Sequence, residues 1–140
     1  MNILKISLTI LLNTFLLATG LCQNQKTIEH MAKAHQDCLD TGHDMLGCSK
    51  HYYFQMDSML TLVYKKLYSK LDKNGKTALQ KDQANWVKKR DLYFEKQEKA
   101  FADKLKTGEW GADMEMIPYG NDGEFIKNRV LILIRRLPKQ

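Results

Sequence analysis

The most regular pattern in the chain is a stripe of apolar residues at Met56, Leu60, Val63, Leu67 and Leu71. Steps of three and four place these residues on one face of an α-helix. Tyr52, Met59, Tyr64 and Tyr68 widen the stripe, while Lys65, Lys66, Ser69 and Lys70 fill the opposite side, which predicts a long helix over 49–71. Upstream, Ile28, Met31, Ala32, His35 and Leu39 recur at helical steps and predict a helix over 29–40, with Thr41-Gly42 and Leu46-Gly47 punctuating the turn between the two. Asp72-Lys73-Asn74-Gly75 reads as a helix stop, with Asn74 or Gly75 suited to a left-handed cap.

A second long helix is expected over 77–105, where Leu79, Gln83, Trp86, Arg90, Tyr93 or Phe94, Gln97 and Phe101 share one side. The short connection makes the two long helices antiparallel neighbours, and their apolar stripes are expected to face each other. Gly108, Gly111, Pro118, Gly120 and Gly123 break the pattern and predict an irregular loop over 107–123. A last helix is expected over 122–137, with Phe125, Val130, Leu131, Leu133, Ile134 and Leu137 as its sticky face. The unbroken apolar run 130–134 leaves a strand as the alternative there. The expected fold class is all-α: a small helical bundle built on a long antiparallel helix pair.

The first residues change the setting. Lys5 is followed by a mostly apolar stretch from Ile6 to Ala18 and then by small residues, the order of a secretory signal. The stretch is short for a membrane span, which needs about 20 residues, and no second one of that length follows. Residues 1–22 are therefore read as a signal peptide, cut after Gly20 or after Cys22, and residues 23–140 as a single exported domain, periplasmic or extracellular. Acylation of Cys22 is disfavoured, because Thr19 and Leu21 stand where such sites want Leu and a small residue.

The sequence carries 22 Lys+Arg against 16 Asp+Glu, a net charge of +6. The lysines are spread along the chain and not gathered in one tract, which argues for a solvated surface and against nucleic acid as a partner.

In an oxidising compartment, Cys38 and Cys48, with nine residues between them, read as a disulfide. In the chain-entropy model so short a ring contributes up to about 3 kcal/mol. His30, His35, His43 and His51 lie near, but no zinc spacing is present, and no Cys-x-x-Cys redox motif is present either. No metal or cofactor is expected. Nor is enzymatic activity: the sequence has no Gly-x-Ser-x-Gly elbow, no His-Glu-x-x-His and no phosphate-cradling glycine loop. Ser49 and Ser58 flank His51 with no third group in view, and Asp113 and Glu115 fall in the expected loop.

The succession Cys38, Asp44-Met45, Cys48, Asp57, Leu60, Tyr64, then Gln83-x-x-Trp86-x-x-x-Arg90-Asp91, then Arg129 and Leu133, resembles the lysozyme inhibitor LprI-like N-terminal domain. The resemblance covers about 38–133, and its most specific piece is Gln83, Trp86, Arg90 and Asp91. It implies an exported, all-helical, disulfide-stapled domain and, by the family's name, a lysozyme as partner. Many members carry a further cysteine pair after the Arg-Asp step, and this chain does not.

Two readings of the shared motif compete. Trp86 and Arg90 are residue types common at binding hot spots. They also fall on the stripe of Leu79 and Phe101, which favours packing, with the guanidinium over an aromatic ring. The candidate partner-binding residues lie elsewhere, in the segment 108–124: Glu109, Trp110, Asp113, Glu115 and Tyr119. That segment carries five carboxylates and no Lys or Arg, a local reversal of sign on a basic chain that suits a basic enzyme. The plainer alternative is a surface loop tied down by Trp110. The sequence supports a non-enzymatic binding module with lysozyme inhibition as its sharpest form, or else a structural or regulatory envelope protein.

Overall fold

The structure is a computed structural model that describes residues 22–138. The expected signal segment and any lipid on Cys22 lie outside what is described, although the backbone of Cys22 opens the first helix. Four helices follow in order: α1 (Cys22–Asp40), α2 (Met45–Lys70), α3 (Lys73–Lys106) and α4 (Met116–Arg135), with a 3-10 turn, Ala112–Glu115, before the last. No strand occurs among the described residues, and 130–134 is helical. The all-α bundle expected from the pattern is the fold, and Cys38–Cys48 is a disulfide near its N-terminal end, with Cα atoms 5.9 Å apart.

Aspartates start both long helices. Asp44 takes the N-cap of α2 with φ of 43°, and its carboxylate accepts from the Gly47 amide at 3.1 Å. A Cβ on Gly47 would stand 2.1 Å from that carboxylate, so the cap demands glycine there. Asp72 caps α3 in the same way, accepting from the Gly75 amide at 2.7 Å. Both segments read as breaks in the sequence for the same reason: Asp and Gly are turn formers as well as cap partners. The expected left-handed cap at Asn74 or Gly75 is not formed. Those residues already belong to α3, and positive φ among the described glycines is confined to Gly42 and Gly108.

The short link does fold α3 back along α2, but α2 does not bury its stripe mainly against α3. Its chief partner is α4. Gly120 sits against Ser49 and Gly123 against Tyr52, positions that ascend together, so α2 and α4 run parallel. The contacts of α3 with α4 descend instead, Asp82 meeting Arg129 and Gln97 meeting Asn121, so α3 is antiparallel to both. The core joins Tyr52, Met56, Leu60, Val63 and Leu67 of α2 to Ile126, Val130, Leu133 and Ile134 of α4, with Ile28 of α1 and Leu79 of α3 closing it. Leu79 is the one fully buried residue of α3. The reason is compositional: α4 is apolar on a broad face, whereas the stripe of α3 carries Gln83, Arg90 and Gln97 at positions where α2 would want hydrocarbon.

The glycines that suggested a loop over 107–123 serve this packing. Helix α4 begins at Met116, and Gly120 and Gly123 lie inside it, facing α2. A Cβ on Gly123 would come within 2.8 Å of the buried Tyr52 ring and 3.5 Å of the Tyr53 Cα, so only glycine permits this approach of two backbones. Pro118 occupies the first turn of α4, where no intrahelical amide bond is lost.

Candidate functional site

Gln83 and Trp86 meet Arg129 at the seam of α3 and α4. Arg129 of α4 is 5 % exposed; its Nε and Nη2 donate to Gln83 Oε1 at 3.1 and 2.8 Å, and Nη2 also reaches Asp82 at 2.9 Å. Arg136 donates to the same Asp82 carboxylate at 2.6 Å. Partial burial raises the Asp82 carboxyl, but the two guanidinium groups outweigh it and hold it below the ordinary carboxylate value. Trp86 stacks on Phe125 at 5.9 Å and carries a guanidinium at 5.7 Å from each of Arg90 and Arg129. Arg90 closes on its neighbour Asp91 at 2.7 Å and lies 5.8 Å from the Phe94 ring. Gln83 and Trp86 thus sit in a laced α3–α4 seam, whereas Arg90 also lines a hollow against Asp57 and Tyr64 of α2, and the exposed Asp91 pairs with Arg90 of its own helix.

A second polar set lies between α1, α2 and α4. His35 Nε2 is 3.3 Å from Ser49 Oγ, and its ring stacks on Tyr52 at 4.3 Å, the two planes nearly parallel. Burial lowers the His35 pKa, partly opposed by Glu124. The Tyr52 hydroxyl donates to Glu124, and burial followed by that bond raises its pKa. Ser49 is paired with His35 and not with the neighbouring His51 that the sequence offered. Ser49 is 1 % exposed at the floor of a hollow of about 450 Å³ that His35 and Glu124 also line, and Glu124 is engaged by Tyr52 and Lys127. The arrangement ties three helices together.

The acidic segment is divided by the fold. Glu109 pairs with Lys104 at 2.7 Å, and the same lysine lies 4.3 Å over the Trp110 ring, which packs near Phe101. Glu109 and Trp110 therefore fasten the turn to the end of α3. Asp113 is exposed on the 3-10 turn. Glu115 and Tyr119 turn the other way, onto a groove formed by α2, α3 and the start of α4. Tyr53, Phe54, Phe94, Phe101, Pro118 and Tyr119 make its apolar walls, and Glu98, Glu115 and Asp122 bring carboxylates, around a volume of about 270 Å³.

Asp122 sets the character of this groove. It is 9 % exposed, and its buried Oδ1 has no hydrogen-bond partner. Burial, and then the charge of Glu98, push its pKa up to about 6. At the rim, Lys50 of α2 lies 3.7 Å from Glu115 and 5.0 Å from the Tyr119 ring centroid. Phe54 stands 61 % exposed beside it, edge-on to Tyr53. Sequence reading singled out Glu115 and Tyr119 but not Asp122, Glu98 or Phe54. The signal was thin, since α3 had to be placed against α4 before Glu98 and Asp122 could be seen as neighbours.

Among the described residues no His, Cys, Asp and Glu cluster could hold a metal ion, and no helix is long and apolar enough to cross a membrane. No curated protein and no solved structure matches the chain. The family model for lysozyme inhibitor LprI matches residues 23–129, which takes in the disulfide, the Gln83–Arg129 seam and the whole groove wall. The chain with this laced seam and acidic aromatic groove belongs to the lysozyme inhibitor LprI family.

Proposed function

We propose that the chain is an exported, non-enzymatic binding module that inhibits a lysozyme. Family membership over 23–129 carries this reading. Three features support it. The match begins at residue 23, where the signal-like segment ends. The disulfide suits an oxidising compartment. The groove gathers carboxylates and aromatic rings on one side of a basic chain, a surface that complements a strongly basic enzyme. Inhibition here is by occupation: a rigid bundle held against the enzyme keeps polymeric cell wall from the cleft.

The test is a titration of residues 23–140, oxidised, against c-type and g-type lysozymes at two salt concentrations. Dose-dependent slowing of cell-wall lysis at micromolar protein is the expected result. Unchanged lysis with both enzymes would remove the inhibitor reading and leave a structural or regulatory envelope role.

A further inference from the structure

We propose that the groove between α2, α3 and α4 is a socket for one cationic side chain of a basic protein partner, with arginine preferred over lysine. The inference deepens the lysozyme reading and rests on it for the identity of the partner.

A mismatch inside the protein points to the socket. Asp122 is nine-tenths buried, with Oδ1 lacking any hydrogen-bond partner. Leaving a buried carboxylate oxygen unpaired costs free energy, and Glu98 adds like-charge repulsion. Most of the carboxylate is nonetheless ionised at neutral pH, with a pKa of about 6. Asp82, the other carboxylate at the α3–α4 seam, is satisfied by two guanidinium groups. Lys50 is engaged at the groove's rim with Glu115 and the face of Tyr119, two of its lining residues, while among the described residues no ion pair reaches Glu98 or Asp122. The groove therefore holds negative charge that the chain itself does not neutralise.

The walls say which cation fits. The rings of Tyr53, Phe94, Phe101 and Tyr119 line the opening, and Lys50 already shows a cation held over Tyr119. A guanidinium stacks on such rings as a plane, is weakly hydrated, and can bond a carboxylate with two parallel N–H groups. An ammonium would give up more hydration for fewer directed bonds. Phe54, largely exposed at the rim, supplies apolar contact for the stem of the incoming side chain or its neighbours.

The experiment separates the socket from the lysozyme reading. N-acetyl-arginine amide, N-acetyl-lysine amide and the neutral N-acetyl-citrulline amide are titrated into residues 23–140 and followed by NMR at the Tyr53, Phe94 and Tyr119 rings. Expected are saturable shifts with arginine amide at about millimolar affinity, weaker ones with lysine amide and none with citrulline amide. Asp122→Asn and Glu98→Gln should each weaken arginine binding, the former by tenfold or more. Lys50→Met should tighten it several-fold by removing a competing cation. Equal response to arginine and citrulline amides, or full binding in Asp122→Asn, would overturn the socket. If arginine amide binds but lysozyme is not inhibited, the socket stands and the lysozyme reading fails. If lysozyme is inhibited equally by wild type and Asp122→Asn, the socket fails and the lysozyme reading stands.

Discussion

Arg129 donates to Gln83 across the α3–α4 seam at 2.8 and 3.1 Å, while its guanidinium lies 5.7 Å from the Trp86 ring centroid. These two residues, 46 positions apart, join α3 to α4. Helix α3 buries little hydrocarbon, so it is held to α4 by directed polar contacts laid over aromatic rings. Arg129→Met should therefore lower unfolding stability by about 2–3 kcal/mol in urea titration, the usual scale for hydrogen bonds to a charged group. Gln83→Ala should cost about 1 kcal/mol. The double variant should cost less than the sum, because the two share one interaction. Strict additivity would mean that the contact contributes nothing.

Gly123→Ala should destabilise by about 1–3 kcal/mol, the range for overpacking a tight core. The added methyl would meet the Tyr52 ring at 2.8 Å, and that ring, 1 % exposed, has nowhere to move. Gly108→Ala tests a different effect. Nothing lies within 4 Å of its Cβ position, yet φ is +72°, so the cost is backbone strain of about 1 kcal/mol. Thermal unfolding of the two variants, side by side, measures both.

How far the fold was legible in the sequence follows from the same glycines. The stripe from Met56 to Leu67 announced α2 because its period is unbroken and its residues are apolar. Helix α4 was placed six residues late, since Gly120, Gly123 and Pro118 are loop formers in isolation and become helix formers only when another backbone needs the space. The partner of α2 was misjudged for a related reason. Sequence adjacency favoured α3, whereas burial favoured α4, the helix with more hydrocarbon to hide. Glu115 and Tyr119 were singled out through local charge and aromatic content, and Asp122 counted among the same five carboxylates, but its burial beside Glu98 and Tyr53 needed the fold.

Removing the staple by Cys38→Ser with Cys48→Ser should lower stability by about 2–3 kcal/mol, as loop closure in the unfolded state predicts. The His35–Tyr52 stack and the His35–Ser49 contact remain to hold α1 and α2 together, so the variant should still fold. Melting of the wild type with and without reductant should reproduce the difference. An unchanged melting temperature would show that the ring constrains little.

Asp122 and Asp82 should pull the pH dependence of stability in opposite directions. The Asp122 pKa of about 6 exceeds its ordinary value of about 3.9, so the folded state holds a proton that the unfolded state releases. Its contribution is fully present below about pH 4 and is lost as pH rises through 6. Asp122→Asn should therefore be more stable than wild type at pH 7, by roughly 1–3 kcal/mol, and equal to it below about pH 4. The groups facing Asp122 are Glu98 and Tyr93 of α3 and Tyr53 of α2, and the charge of Glu98 adds to the burial that raises it. Asp82 has a lowered pKa, so its contribution is present above about pH 4 and is lost as pH falls through its folded value. Urea titrations at several pH values follow both effects.

The most direct measurement is the rate of cell-wall lysis by a c-type lysozyme with wild-type residues 23–140 and Asp122→Asn added in parallel. The account predicts slowing by the wild type at micromolar concentration, with at least tenfold more Asp122→Asn needed for the same slowing. Lysis unaffected by the wild type, or slowed equally by both proteins, would contradict it.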